Sequence, residues 1–585
     1  MKSLRLVLAA ALGAVAVIGV APPVMSADPF TAPAWTSAVC RNIQFGAGGP
    51  ILGLTPDMIA GVVGMPVEVM GTPAPQTLVV VEMGQSVNQS VVRTFLSTCG
   101  LPAPAWTDVL NPGDILPAAG SEATLDLTVV AGILPANTTL KTATVNDGLD
   151  FYTALLNAAR ACGLSGTTPS AWQRSQLETP TGGCIISMSY AIFEKSLRQM
   201  LFLEGLTTTT EQDLYIAQTE QILAGLASAG VITVISSGDE GSGGCQPLTR
   251  GLQNEMAPQW PSTSANVLSV GGTMWAPTGW NGAAITPASS YVPGVPLIPV
   301  AWRNWNLGSD CLWQTTPTSV TWPGIGTTGG ESQFVTRPDF QSNVAGSLPG
   351  STGRLSPDIS GLAGWPTWLV PFNNDGSQVT YAMGTSAAAP LLAVGFAHVN
   401  AALTARGLTP IHNGGGPLDI HNVLYNPAFT SSLNDVTLGT NNLWSSDLWT
   451  GPTAVTTTGF LQGIGFLDGS LNQTANVLSG FTSTVGYDLT TGLGVPNFST
   501  LTRLLINAQT VTFDPLGPAP ILQQVPLPAA GTCSAVIDGP FDWAGVGSGR
   551  WGQSWAQWAN SGQGGPVCTR TLIYNSALGA WMIRS

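Results

Sequence analysis

At 585 residues the chain can hold two or three domains and bury a large core. Charge is sparse: Asp, Glu, Lys and Arg make up 9% of the residues and leave a net charge of −14. Only 18 basic residues, dispersed along the chain, argue against a nucleic-acid footprint, and with so few ion pairs available most carboxylates can be protonated at low pH without much loss.

The chain opens on a basic stretch, Met1-Lys-Ser-Leu-Arg-Leu6. An apolar run follows to about Val20, then Pro22, Pro23 and a small-residue exit at Met25-Ser-Ala27. These are the three parts of a secretory signal peptide, expected over 1–27 and removed on export to a secreted or cell-surface location. The run is short for a membrane span, which needs ~20 apolar residues. Residues 28–53 show no clear periodicity.

From Leu54 onward short apolar runs alternate with helical patterns. Thr77-Leu-Val-Val-Val-Glu82, Cys184-Ile-Ile-Ser-Met-Ser189 and Val231-Ile-Thr-Val-Ile-Ser236 read as buried strands. Val91 to Cys99 and Glu211 to Ala229 read as helices. Strands alternating with helices predict an α/β fold with a doubly wound, mostly parallel sheet. Residues 274–330, rich in Trp, Pro, Gly and Thr, read as a long insertion of loops or β-structure. From Val511 a proline-rich linker leads to a small β module with five tryptophans, Trp543, Trp551, Trp555, Trp558 and Trp581. Clustered Trp can contact a carbohydrate or a cell surface; the plainer reading is a small core that needs large aromatics.

The eight cysteines are an even count in an exported chain, which favours disulfides. Connectivity does not follow from sequence. Pairing nearest neighbours gives Cys162–Cys184, Cys245–Cys311 and Cys533–Cys568, leaving Cys40–Cys99 as the fourth bridge. No C-x-x-C pair or Cys/His cluster suggests zinc.

Gly384-Thr-Ser-Ala-Ala-Ala-Pro390 looks like the nucleophile turn of a subtilisin-like serine peptidase. Such enzymes place the base histidine before the serine. Here His398, His412 and His421 all follow Ser386. A serine hydroxyl needs a neighbouring base, and in acid that base is better a carboxylate than a histidine. Glu122 and Asp126 lie four residues apart, on one face if helical, close enough to share a proton; a solvated helix face is the plainer alternative. Ser236-Ser-Gly-Asp-Glu-Gly241 ends a buried strand at the edge where α/β sheets place ligands. A protonated Asp239 there could donate to an oxyanion, beside the Ser386 N–H. Read alone, it is a glycine-rich turn.

In order along about 450 residues these pieces resemble the sedolisins, the serine-carboxyl peptidases. The resemblance is carried by Leu54-Thr-Pro56, Gln76 to Glu82, Glu122-x-x-x-Asp126 with Val130-Ala-Gly-Ile-Leu-Pro135, Ser237-Gly-Asp239, Trp260-Pro-Ser-Thr-Ser264, Val270-Gly-Gly-Thr273, Glu331-Ser-Gln-Phe334, Ser356-Pro-Asp-Ile-Ser360 and the Ser386 motif. It implies a monomeric, subtilisin-like peptidase domain over 54–510 acting on proteins or peptides. Ser386 would be the nucleophile, Glu122 the base, Asp126 its orienting partner and Asp239 the oxyanion donor. It also implies a calcium site, with carboxylates from Asp435 and Asp488 and carbonyls from Val436, Thr484 and Gly486; Thr484 stands where family members often have glycine. Glu82 matches a glutamate that extends the carboxylate chain in some members.

Two departures stand out. Where sedolisins often have Trp-Gly, this chain has Tyr190-Ala191 after Ser189; Ser189 and Tyr190 are expected to bind substrate, with Tyr190 as an aromatic wall. Sedolisins are usually made with a long folded propeptide, but only residues 28–53 separate the leader from the domain, so control comes from elsewhere or is not needed. The insertion is expected at the cleft rim, restricting access. The expected function is an exported, acid-acting serine-carboxyl peptidase working through an acyl-enzyme. A secreted binding protein on an inactive scaffold is the alternative; a subtilisin-type enzyme fails on histidine order.

Overall fold

The computed structural model describes residues 53–510 except 167, 178–180, 242–257, 280–295, 305–324, 348–351, 372–377, 442, 445–476 and 479, together with short strands at 30–31, 44–45, 571–575 and 580–584. The expected leader, the proline-rich linker, Cys40, Cys245, Cys311, Cys533 and Cys568 lie outside the described residues. The chain forms two compact units, Met1–Thr502 and Arg503–Ser585. In the second, strands Thr571–Asn575 and Ala580–Arg584 pair as an antiparallel hairpin.

The first unit is built on a nine-stranded sheet. Its strands are β1 (Gln76–Met83), β2 (Thr107–Val109), β3 (Thr138–Val145), β4 (Cys184–Met188), β5 (Ile232–Ser236), β6 (Leu268–Pro277), β7 (Pro296–Ala301) and β8 (Ile359–Leu362), with Phe30–Thr31 at one edge. The order is Phe30–Thr31, β7, β6, β5, β4, β1, β3, β2, and β8 also pairs with β6. Pairings from β5 through β2 are parallel; β7 runs antiparallel to β6. All eight residues of β1 are buried. Its unbroken valine run therefore suits a strand covered on both faces, as parallel sheets require.

Five helices frame the site: α1 (Gln89–Thr98), α2 (Ser121–Gly132), α3 (Phe151–Ala161), α4 (Thr209–Ser228) and α5 (Thr385–Thr404). Asn88 caps α1 through the Ser90 N–H, and Thr208 with Glu211 forms a capping box on α4. The long helix α5 is apolar all round and buried along nearly its whole length, so it is a core helix and not a surface one. It packs against β1, β4, β5, β6, β8 and α2. Strand order reverses around β1, so the carboxyl ends of β1, β4 and β5 converge on one crevice.

The start of the expected insertion is β-structure of the main sheet: Met274 continues β6, and Met274–Pro277 pairs with Leu297–Val300 of β7. Gly271 and Gly272, inside β6, permit close approach. A Cβ on Gly271 would lie 2.6 Å from Ser360 Oγ, and one on Gly272 would lie 2.7 Å from Ala363 Cβ. Residues 280–295 and 305–324 of the expected insertion lie outside the described residues. The segment 28–53 also joins the fold through backbone pairing, with Gln44–Phe45 and Gly53–Leu54 flanking a second, four-stranded sheet.

A disulfide joins Cys162, at the end of α3, to Cys184, at the start of β4, across 22 residues. Cys99 is also disulfide-bonded.

Candidate active site

Ser386 lies in the first turn of α5, after Gly384 at the helix N-cap. The first N–H groups of a helix have no intrahelical acceptor. Thr385 directs its N–H, at 2.7 Å, and its hydroxyl, at 2.6 Å, to Asp239 Oδ1. The Ser386 N–H belongs to the same set of first-turn donors, at the positive end of the helix dipole. Asp239 follows β5 and its other oxygen, Oδ2, overhangs Gly384: a Cβ there would come within 2.6 Å of it. Gly384 also has φ +132, a conformation that L side chains rarely adopt.

Glu122 lies in the first turn of α2, and the Ser386 hydroxyl is close enough to its carboxyl to lower that group's proton affinity. One turn on, Asp126 is fully buried. Its Oδ2 accepts the Ser189 hydroxyl at 2.7 Å. Behind it, at the end of β1, Glu82 is fully buried and accepts the Tyr190 hydroxyl at 3.0 Å. Ser386, Glu122, Ser189 and Asp239 keep partial solvent contact, whereas Asp126, Glu82 and Tyr190 are buried. The first four can meet a substrate; the other three back them.

Four carboxyls thus converge in one place, and each of Glu82, Glu122 and Asp126 has one buried oxygen with no hydrogen-bond partner. Loss of water dominates their proton affinities. Burial pushes Glu122 up to about 7, against the opposing pull of the nearby Ser386 hydroxyl and with repulsion from Asp239 adding to the rise. Burial raises Asp239 to about 6, offset in part by its two bonds from Thr385. Burial first, then the neighbouring carboxylates, hold Asp126 well above the ordinary range, and burial followed by Glu122 does the same for Glu82. Such a row cannot be fully ionised; it holds protons. A base with an ordinary value near 4 does not fit this environment.

No histidine takes part. His398 Nε2 meets the Ile133 carbonyl, His412 Nδ1 the Asn413 carbonyl and His421 Nε2 the Val267 carbonyl. His398 lies twelve residues beyond Ser386 on the same helix, roughly 18 Å along its axis.

The structure therefore brings together Ser386, Glu122, Asp126, Asp239, Glu82, Ser189 and Tyr190. Tyr190 is not the exposed wall expected from its aromatic ring: it is 5% exposed, and its hydroxyl serves Glu82. Thr385, which fixes Asp239, was not singled out, although it stands inside the Ser386 motif. The candidate metal residues also come together. Asp435 Oδ2 accepts the Gly486 N–H at 2.7 Å. Asp488 accepts the N–H groups of Thr484, Thr490 and Thr491. Asp435 Oδ1 is buried with no partner. An oxygen-only set with an unsatisfied carboxylate oxygen fits calcium. Among the described residues no cluster of three or more His, Cys, Asp or Glu could hold a metal, so backbone carbonyls would have to complete it.

A mostly parallel sheet with a serine at the start of a buried helix, below the converging strand ends, defines a subtilisin-like α/β protein. Residues 128–431, just over half of the chain, match the subtilase family. Physarolisin from Physarum polycephalum is 26% identical over 413 residues, covering 67% of this chain and 58% of the relative. Sedolisin from Pseudomonas sp. (strain 101) is 31% identical over 175 residues, covering 29% of this chain and 24% of the relative. A solved structure of Pseudomonas sedolisin, a serine-carboxyl proteinase complexed with two molecules of pseudo-iodotyrostatin, superimposes with a TM-score of 0.48 at 18% identity, covering 79% of this chain and 99% of that one. The chain belongs to the subtilase family, and the curated relatives it is similar to include physarolisin and sedolisin. The family match includes Asp239 and Ser386 but begins after Glu122 and Asp126, so the carboxylate half of the site rests on its own geometry. The chain spans less than two thirds of the curated relatives it matches.

Proposed function

We propose that this chain is an exported serine-carboxyl peptidase that cleaves proteins or peptides in mildly acid solution. The observation that carries the reading is the place of Glu122, a buried carboxyl close enough to the Ser386 hydroxyl for that hydroxyl to lower its proton affinity, where a subtilisin-type enzyme needs a histidine.

In this mechanism Ser386 Oγ attacks the scissile carbonyl carbon as Glu122 takes its proton. The carbonyl π bond opens to an oxyanion held by the Ser386 N–H and by protonated Asp239. Asp126, neutral behind Glu122, orients it and limits the repulsion as charge moves. Collapse breaks the C–N bond; Glu122 returns its proton to the leaving amine, and an ester remains on Ser386. Water then attacks that ester as Glu122 takes its proton; collapse breaks the C–Oγ bond, Glu122 returns the proton to Ser386 Oγ, and the acid is released. Asp239 can donate only while protonated, and its raised value keeps it so in mild acid.

Supporting residues come from one chain, consistent with a monomer. The Cys162–Cys184 bridge suits an oxidising, extracellular setting. Calcium would be held by Asp435 and Asp488 with the carbonyls of Val436, Thr484 and Gly486, tying the loop after Thr484 to the domain. Its role would be structural: calcium should raise the melting temperature of the full chain, and Asp488→Ala should remove that rise.

The test is cleavage of a denatured protein from pH 3 to 8 with calcium present, with Ser386→Ala as control. Cleavage that peaks in mild acid and vanishes in the variant supports the reading. No cleavage at any pH would leave an inactive sedolisin scaffold that binds rather than cuts.

A further inference from the structure

We infer that the Ser189 hydroxyl is a two-position switch, donating either to Asp126 or to the backbone carbonyl of Ser386, and so tying the protonation of Asp126 to the hold on the nucleophile's own peptide. This rests on the peptidase reading above and assigns Ser189 as a positioning residue.

Ser189 Oγ lies 2.7 Å from Asp126 Oδ2 and 3.2 Å from the Ser386 carbonyl oxygen. A hydroxyl has one proton, so it serves one acceptor at a time. The Ser386 carbonyl has an unusual need for it. In an α-helix the C=O of residue i accepts the N–H of residue i+4. Position i+4 from Ser386 is Pro390, inside α5, and proline has no N–H. The helix itself cannot satisfy this carbonyl, and the donor within reach comes from the end of β4.

Two arrangements follow. With Asp126 ionised, Ser189 donates to Oδ2, and the Ser386 carbonyl goes without. With Asp126 protonated, its O–H donates to Ser189 Oγ, and the Ser189 proton turns to the carbonyl. No covalent bond of Ser189 changes; the only proton gained or lost is on Asp126. The second arrangement fits the buried, unpartnered Asp126 Oδ1 better, because a bare anionic oxygen there would be costly. The groups around Ser189 and Asp126 are all acids: Glu122 beside Asp126 on α2, Glu82 ending β1 and Tyr190 next to Ser189, while Asp239, after β5, acts on Glu122. The state that leaves Glu122 free to act as base, with Asp126 neutral, is thus also the state in which the first turn of α5 is fully bonded.

The experiment measures kcat and KM against pH for the full chain on a peptide it cleaves, with Ser189→Ala, Ser189→Thr and Pro390→Ala alone and combined. Ser189→Ala should lower kcat by about 10- to 100-fold with KM within about twofold, the loss expected for a hydrogen bond to a charged or buried group. Pro390→Ala returns an N–H to the helix. In the Ser189→Ala background it should recover about fivefold in kcat; with Ser189 present its benefit should be confined to the alkaline limb, where ionised Asp126 claims the hydroxyl. Purely additive effects of the two changes would overturn the switch. If Pro390→Ala does not fold, Ser189→Thr decides: it should recover most of what Ser189→Ala loses, and a threonine no better than alanine overturns the proposal. Ser386→Ala run alongside separates the two claims. Activity surviving that change sinks the peptidase reading, whereas Ser386-dependent activity indifferent to Ser189 sinks only the switch.

Discussion

Asp239 is gripped by Thr385 through two bonds to one oxygen, the N–H at 2.7 Å and the hydroxyl at 2.6 Å. The grip fixes Oδ1 and leaves Oδ2 over Gly384, toward the crevice. Asp239→Asn keeps the shape but exchanges an acidic O–H donor for an amide, and kcat should fall by about 10²–10³-fold, the size of a lost oxyanion contact. Gly384→Ala should be worse, because its Cβ would meet Oδ2 at 2.6 Å on a backbone at φ +132. It should lose activity and melt several degrees lower; a fully active Gly384→Ala protein would refute this placement of Asp239.

The pH profile follows from two opposed requirements. Glu122 must be ionised to take the serine proton, which favours pH above about 7. Asp239 must be protonated to donate, which favours pH below about 6. The base holds its proton more tightly than the acid, so only a minority of molecules is correctly protonated at any pH. kcat/KM should therefore trace a narrow bell with its maximum between pH 6 and 7. A plateau reaching down to pH 3 would contradict these environments.

Tyr190 offers a way to separate a wall from a support. Tyr190→Phe keeps the ring and removes only the hydroxyl that serves Glu82. A cleft wall would be unaffected. The structure predicts instead a drop in kcat of about tenfold, the cost of a buried carboxyl losing its donor, with the ranking of peptide substrates unchanged. Rates on a small peptide panel decide between the two.

Stability should run the opposite way from that of most proteins near neutrality. Burial raises the carboxyls of Glu82, Glu122, Asp126, Asp239, Glu194 and Glu220. A group whose folded value is raised stabilises the fold fully below its unfolded value, near 4 for a carboxyl, and loses that contribution as pH rises through the folded value. For Asp239 that loss runs from about 4 to about 6, and for Glu122 from about 4 to about 7. The melting temperature should decline from pH 5 to pH 8, and Glu122→Gln should flatten the slope.

Much of this site could be read along the chain. Glu122 and Asp126 stand four apart because a helix puts them on one side, and the structure supplies that helix at Ser121–Gly132. Their inequality was not legible: Glu122 faces the crevice and Asp126 lies wholly inside, which depends on how α2 packs against α5. Tyr190 turns inward because β4 ends at Met188 and strand alternation no longer sets side-chain direction there. Past that point the turn sets direction. Why glycine is needed at Gly271 inside a strand was not legible either, because the reason is the approach of β8. Two-residue strands such as Phe30–Thr31 carry no period to detect.

The central claim is that a carboxylate, Glu122, activates Ser386. It is tested most directly by the kcat/KM of Glu122→Gln between pH 6 and 7, measured beside Ser386→Ala on the same denatured protein. Glutamine keeps the shape and cannot take a proton. The mechanism predicts a fall of at least about 10³-fold, to the level of Ser386→Ala, in a protein that still folds. A Glu122→Gln enzyme that keeps its rate while Ser386→Ala loses it would show that another group takes the serine proton.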